Sequence, residues 1–444
     1  MQLRPYQHEA IAALWQFIAQ TTAVSGLVVL PTASGKTIVF AEFIRQLLEA
    51  KPDFRVLVLA HTQEIVAQNA LKLRAIWPQA PVGIYCAGLK QFDICQITSA
   101  SRDSIIREIG DCPEWDLVIV DEAHLIPPQE AARYQQILDT IKLHTGQYKL
   151  LGFTATPFRT STGNIYGTGP AALFQQRLFH KRIDQLVNSG YLCPLRAVST
   201  PANAIADTSA VRYNKDDFIQ KELEQVTVIE QLVENMVTDW QVKTGGRLPT
   251  VFFASSVAQA ILFEQQLRQS GFHFPLITAQ TTKADRALWL KQFESGELNG
   301  LINVATLTTG WDSPRMACIV LARPTRSPGL FLQIVGRGLR LHSSKTETLL
   351  LDYGGNLTRF GPIDRVRPAG EAVDPRQETQ KITACPCCDT LVSLYQLQCP
   401  HCTEQLHQDD TDFSYCLHCG ANNDFNALYC QVCGEEANDK SMVL

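Results

Sequence analysis

Short runs of consecutive apolar residues recur along the first third of the chain, at 27–30 (Leu-Val-Val-Leu), 56–59 (Val-Leu-Val-Leu), 117–120 (Leu-Val-Ile-Val) and 150–153 (Leu-Leu-Gly-Phe). None alternates with polar residues, so each predicts a strand buried on both faces. Between them, 38–50 and 63–77 carry apolar residues at helical spacing. Strand and helix in alternation predict a parallel sheet covered by helices. The rhythm resumes at 251–254, 275–278, 301–304, 319–322 and 349–352. The stretch between the two sets is polar and helix-prone, and Gly245-Gly246 breaks it before the second sheet. The expected class is α/β, with two parallel-sheet domains in tandem over 1–200 and 247–366, joined by a helical connection over 201–246. A linker at 367–384 leads into a cysteine-rich region at 385–435.

Composition narrows the class. With 45% hydrophobic and 19% charged residues, the 444-residue chain is an ordinary globular one of two or three domains. No apolar run approaches the roughly 20 residues that span a bilayer, so no membrane partner is expected. The start, Met1-Gln2-Leu3-Arg4, lacks the basic and apolar regions of an export signal, which predicts a cytoplasmic protein. The net charge is −5. Residues 385–444 hold nine acids and one base, a net of −8, which leaves +3 for the rest. The body can therefore carry a basic groove, while the tail is a poor phosphate binder.

The run at 27–30 leads into Pro31-Thr32-Ala33-Ser34-Gly35-Lys36-Thr37 and then a helical pattern. This is the arrangement of strand, phosphate loop and helix. Backbone N–H groups of Thr32, Ala33, Ser34 and Gly35 suit a phosphate at a helix N-terminus, Lys36 suits the β- and γ-oxygens, and the Thr37 hydroxyl suits Mg²⁺. Pro31 stands where the generic loop begins with glycine, and taken alone the run also suits a Gly-Ser turn beside a surface lysine. The run at 117–120 ends in Asp121-Glu122-Ala123-His124. An acid at the C-terminal end of a buried parallel strand, beside the first strand, is where a Mg²⁺-binding carboxylate sits. Asp121 is expected to hold the metal and Glu122 to polarise the attacking water. An exposed acidic turn is the bland alternative, but both motifs in this order and spacing point to ATP or GTP binding.

These motifs resemble those of superfamily-two helicases of the DEAD/DEAH-box kind. Asp121-Glu122-Ala123-His124 is similar to the box that names the DEAH group, and Thr154-Ala155-Thr156-Pro157 to the family's coupling motif. Leu3-Arg4-Pro5-Tyr6-Gln7 resembles the segment whose glutamine recognises adenine, which implies base contacts from Arg4 and Gln7 and a preference for ATP. The run from Asn303 to Pro314, containing Gly310 and Asp312, resembles motif five, and Gln333 to Arg340 resembles motif six. Gly310 and Asp312 are then expected beside the nucleotide, with Asp312 orienting an arginine or binding the ribose. The resemblance implies two RecA-like domains and a catalytic set of Lys36, Asp121, Glu122, His124, Gln333, Arg337 and Arg340. Arg337 and Arg340 lie three apart, which predicts one helix face, and an arginine brought from the opposing domain stabilises charge on the γ-phosphate. The family's strand contacts match Ala60-His61-Thr62, Thr98-Ser99-Ala100, Thr308 and Thr309.

Nine of the fourteen cysteines lie in the tail. The pattern C-x2-C-x10-C-x2-C occurs at Cys385, Cys388, Cys399 and Cys402, and again 31 residues on at Cys416, Cys419, Cys430 and Cys433. Four thiolates satisfy tetrahedral Zn²⁺, so a small C-terminal zinc-ribbon region with two ions is expected, the metal supplying folding energy to modules too small for a core. Disulfides are disfavoured by the missing export signal. The charge of this tail suits a protein partner or a bracing role better than a DNA contact. Sequence and resemblance together predict an ATP- and Mg²⁺-dependent DNA helicase or translocase that acts on single-stranded or branched DNA in repair or recombination. An RNA-dependent remodelling ATPase and a nucleotide-gated clamp with little turnover stay open.

Overall fold

A computed structural model describes residues 2–20, 22, 24–126, 131–159, 163–168, 172–214, 217–307, 311, 313–363, 366, 382–393, 398–406, 413–415 and 422–424. The chain divides into two compact units. The first is Met1–Leu192 with Leu307–Asp312 and Leu332–Arg337, and the second is the remainder.

The first unit is built on strands β1 (Ser25–Val29), β2 (Val56–Ala60), β3 (Val82–Cys86), β4 (Gln91–Phe92), β5 (Ile97–Ser101), β6 (Leu117–Asp121) and β7 (Lys149–Thr154). A short hairpin, β8 (Phe158–Arg159) with β9 (Gly163–Asn164), precedes β10 (Gln176–His180). The eight-stranded sheet runs β10-β1-β7-β6-β2-β5-β3-β4, parallel except for the β3–β4 pair. All five residues of β1, β2 and β6 are buried, as continuous apolar runs require. The helix Lys36–Ala50 turns Val39, Phe40, Phe43, Ile44 and Leu47 to the core. One expectation is corrected. β6 is not beside β1, because β7 pairs with both and lies between them.

The second unit holds β11 (Leu195–Val198), β12 (Thr250–Ala254), β13 (Leu276–Ile277), β14 (Gly300–Asn303), β15 (Cys318–Ala322) and β16 (Thr348–Asp352). The sheet runs β11-β16-β15-β12-β14-β13, all parallel. Its core centres on Trp240 of the helix Glu230–Thr244, whose ring meets Phe252, Phe272 and Phe274 at 5.3, 5.0 and 5.7 Å. That helix ends at Gly245 in the left-handed region (φ 59), the break that the Gly-Gly pair signalled. Strand β11 lies within 1–200, the expected first domain, yet pairs with β16 of the second sheet. The apolar pattern hides it because Arg196 interrupts a four-residue edge strand.

Strands β17 (Ile382–Ala384) and β18 (Leu391–Ser393) pair antiparallel, as do β19 (Phe413–Tyr415) and β20 (Asn422–Asp424). The β17–β18 module is hydrogen-bonded to the end of β11: Val198 bridges Thr390, and Ser199 N donates to Asp389 O (2.9 Å). Arg196 of β11 donates to Cys388 O (2.9 Å) and Thr390 Oγ1 (3.0 Å), and pairs with Glu347 at 3.4 Å. Glu347 also pairs with His401 at 3.4 Å.

Candidate nucleotide site and metal centre

The phosphate loop leaves β1 and closes on the helix Lys36–Ala50 with Gly35 as its N-cap, at φ 84. A side chain at Gly35 is excluded twice, by that φ and by Gln7 Nε2 at 2.9 Å from where its Cβ would stand. Ala33, at φ 70, holds a left-handed conformation without glycine's freedom. Glu122 (φ 49) and Ala305 (φ 58) do the same in the loops after β6 and β14. Each such residue costs on the order of 1–3 kcal/mol, a strain that the surrounding structure holds in place.

The charges of the first unit's site lie close together, Lys36 and Asp121 buried and Glu122 half-buried. Lys36 Nζ lies 3.3 Å from Glu122 Oε1, with 8% of the Lys36 side chain exposed. Asp121 ends β6, and its Oδ1 accepts the Glu122 N–H at 2.9 Å. Burial, and next the neighbouring Glu122 charge, push Asp121 up to about 6 against the pull of Lys36. Burial also works to raise Glu122, but Lys36, His124 and Arg337 outweigh it and hold that carboxyl below its ordinary range. Ser34, Lys36 and Asp121 are buried, and Thr37 is half-buried.

A hydrogen-bonded line connects this site to motif six. Thr154, at the end of the intervening β7, donates its hydroxyl to Thr156 O (2.9 Å), so toward His124 it acts as acceptor, from Nδ1 at 2.8 Å. His124 Nε2 lies 2.6 Å from the Gln333 side-chain amide. Residues 332–337 cluster with the first unit, so these contacts are internal to it. Gly336 lies so close to Thr32 of the phosphate loop that a Cβ there would meet Thr32 Cβ at 2.6 Å. Arg337 donates to Trp311 O, is lowered by burial, and has Glu122 as its compensating charge. The expected shared helix face for Arg337 and Arg340 is not observed. The helix Pro328–Gly336 ends before both, and a turn closed by Arg337 N donating to Ile334 O follows. Arg340 belongs to the second unit, where burial pushes it down to about 10 with Glu294 opposing.

Gln7 is buried, its Oε1 accepting Arg4 N (2.9 Å) and its Nε2 donating to Ser34 O (3.3 Å). The residue expected to read the base thus also touches the phosphate loop. Sequence reasoning missed Tyr6 and Tyr191. The Tyr6 hydroxyl donates to Ser34 O, its ring meets Tyr191 at 5.4 Å, and Arg4 both donates to Tyr191 O (3.0 Å) and lies over that ring at 5.2 Å. No local pattern signals Tyr191, which is 187 residues from Arg4.

Two expected strand contacts are corrected. Thr98 and Ser99 lie wholly buried in central β5, bonded to Cys95 and Val66 O, so their side chains do not reach a surface. Thr62 caps the helix Gln63–Ile76, accepting from Ile65 N (3.4 Å), and His61 meets Tyr134 OH at 3.2 Å. Thr308, Thr309, Gly310 and Asp312 lie outside the described residues.

Cys385, Cys388, Cys399 and Cys402 gather with all four sulfurs within 4.8 Å of one another. The Cys385–Cys402 and Cys388–Cys399 separations of 3.5 and 3.7 Å suit the roughly 3.8 Å edge of a tetrahedral Zn–thiolate site. The cluster could hold zinc. Cys416, Cys419, Cys430 and Cys433 lie outside the described residues. No described helix is long and apolar enough to cross a membrane.

Residues 1–159 match the family model described as the res subunit of type III restriction enzymes, and residues 227–342 match the helicase conserved C-terminal domain. The Saccharomyces cerevisiae protein IRC3, named as an ATP-dependent helicase, is 30% identical over 80% of this chain and 51% of its own length. The DNA 3'-5' helicase XPB of Kineococcus radiotolerans is 24% identical over 68% of this chain and 50% of its own. The chain thus spans about half the length of these relatives. The ATP-dependent type ISP restriction-modification enzyme LlaBIII bound to DNA aligns with a TM-score of 0.58 at 16% identity, over 84% of this chain and 28% of that one, which shows the fold.

Proposed function

We propose that this chain, a superfamily-two helicase with tandem helicase domains, is a nucleic-acid-dependent ATPase that translocates along or unwinds DNA in repair or recombination. The observation that carries the reading is the set Lys36, Asp121 and Glu122, with His124 3.6 Å from Glu122 and within 2.6 Å of the Gln333 amide. A strand-binding clamp with little turnover does not require a charged glutamate, set to polarise water, beside the phosphate-loop lysine. Lys36 binds the β- and γ-phosphates, and Glu122, kept charged, orients the attacking water and takes its proton. Thr37 and Asp121 would hold Mg²⁺, which would supply charge neutralisation to the phosphates. Arg337 and Arg340 supply positive charge to the γ-phosphate as it transfers. Arg4 and Gln7 hold the adenine. Because His124 and Thr154 connect the water-orienting carboxylate to motif six, hydrolysis is coupled to movement of that segment.

Within the superfamily the chain resembles the bacterial DNA-repair helicase RadD, through 151–159, 333–341, 351–356 and the cysteine tail. On this reading the protein works in the bacterial cytoplasm with the nucleoid, takes single-stranded or branched DNA as partner, holds two zinc ions, and uses the acidic tail as a protein-docking or bracing module. The bonding of Arg196 to Cys388 and Thr390 supports bracing. Phosphate release measured with no nucleic acid, with single-stranded DNA, with branched DNA and with RNA tests the reading. Stimulation by DNA supports it, stimulation by RNA alone turns it to the RNA remodeller, and equal rates throughout leave the clamp.

A further inference from the structure

At the C-terminal edge of the second sheet, the segment before the helix Gln220–Thr227 arches over the strand ends. Gln220 Nε2 donates to Ser255 O just past β12, and the Asp217 carboxylate accepts Thr325 Oγ1 and Arg326 N, both at 2.7 Å, just past β15. Val211, Phe218 and Leu223 form a small satellite core beneath it. Tyr213 is left out of that core, 57% exposed, and the Arg326 guanidinium lies over its ring at 3.7 Å from the centroid, with Phe218 at 5.9 Å.

The guanidinium itself has no hydrogen-bond or carboxylate partner among the described residues; Asp217 is taken up by the Thr325 hydroxyl and the Arg326 backbone. Stacking on a ring fixes the plane of an arginine while leaving all five N–H donors directed outward, the presentation that suits a phosphate. Nearby, Arg323 and Arg359 add positive charge, and the remaining acid, Asp352, is buried and accepts Gly354 N, Leu357 N and Asn356 Nδ2. Among the described residues, Arg323, Arg326 and Arg359 thus stand near the carboxylates Asp217 and Asp352, on an edge where open α/β sheets place their ligands.

We propose that Tyr213 and Arg326 form a grip for a single nucleic-acid strand, the guanidinium pairing with a backbone phosphate and the exposed ring stacking on a neighbouring base. The grip rests on the nucleic-acid reading above and deepens it. Neither contact reads sequence, because every nucleotide has a phosphate and a π-face.

Fluorescence-anisotropy titrations of the full chain, without nucleotide, against labelled oligothymidine at several salt concentrations test it. Arg326→Ala and Arg326→Gln are expected to bind roughly 10-fold more weakly, with a salt slope reduced by about 0.7, one single-strand phosphate contact. Tyr213→Ala is expected to weaken binding by about 5-fold or more, while Tyr213→Phe, which keeps the ring, binds as the parent does. The salt slope separates a phosphate contact from a merely structural role, which would leave it unchanged. Binding by the parent with no loss and an unaltered slope in both arginine variants overturns the grip alone. A parent chain that binds neither DNA nor RNA oligomers overturns the nucleic-acid reading, and the grip with it.

Discussion

The two sheets share a parallel, helix-covered plan, yet their C-terminal edges differ. In the first unit the strand ends bring buried charges together: Lys36 beside Glu122, Asp121 pushed up to about 6, and backbone strain at Ala33 and Glu122. In the second, the corresponding ends are closed by satisfied polar networks. Asp352 accepts three N–H groups, Asn356 bonds Thr325 N and Arg323 O, and Ser255 bonds Gln259 and Thr227. The same architecture thus serves one edge that gathers two carboxylates around the phosphate-loop lysine and one whose acids are taken up by backbone and side-chain donors, leaving Arg326 stacked on the exposed Tyr213. Fold similarity between the halves carries no information about which half does chemistry; the charges do.

That contrast can be broken first at its centre. Glu122→Gln is expected to lower the turnover of ATP by about 10³-fold while nucleotide still binds, read by phosphate release beside equilibrium binding of a labelled nucleotide. Wild-type turnover would remove Glu122 from the water-orienting role. Gln333→Ala, which cuts the line to His124, should lower kcat by roughly 10-fold with little change in KM. An altered KM with unchanged kcat would make the link a binding contact instead. Removing the adenine-edge contact by Gln7→Ala should erase about a 10-fold preference for ATP over GTP, measured as the ratio of kcat/KM values. In the second unit, Arg196→Ala should leave ATP turnover little changed but weaken zinc retention by about 10-fold in competition with a chelator, as loss of a contact behind a metal ligand does. Equal retention would show that the brace is independent of the metal.

The central strands were legible because β1, β2 and β6 must be apolar on both faces. The strands that escaped are those whose pattern serves something else. Thr98, Ser99 and Ser101 make β5 look like a loop, although Thr98 and Ser99 bond within the core. In β10, Gln176, Arg177 and His180 reflect an edge position. Local motifs identified the phosphate loop and the acid-bearing turn, because their chemistry is contiguous in the chain. They did not reveal that β7 separates those two, nor that Thr154, the first residue of the coupling motif, thereby meets His124. Tyr191 against Arg4, and Arg326 on Tyr213, are contacts of long sequence separation with no periodic signature. The arginine pair of motif six looks helical because the apolar period runs to Val335, whereas the helix stops at Gly336 and a turn closed by Arg337 N donating to Ile334 O follows.

Strand β11 has a consequence for synthesis. It emerges early, at Leu195–Val198, but its neighbour β16 arrives only with Thr348–Asp352, and the Thr390 that caps its end comes later still. During translation its backbone amides wait unpaired for some 150 residues, a timescale on the order of 10 s at ordinary elongation rates. A nascent chain stalled in that interval exposes a bare strand, the form of edge that templates aggregation.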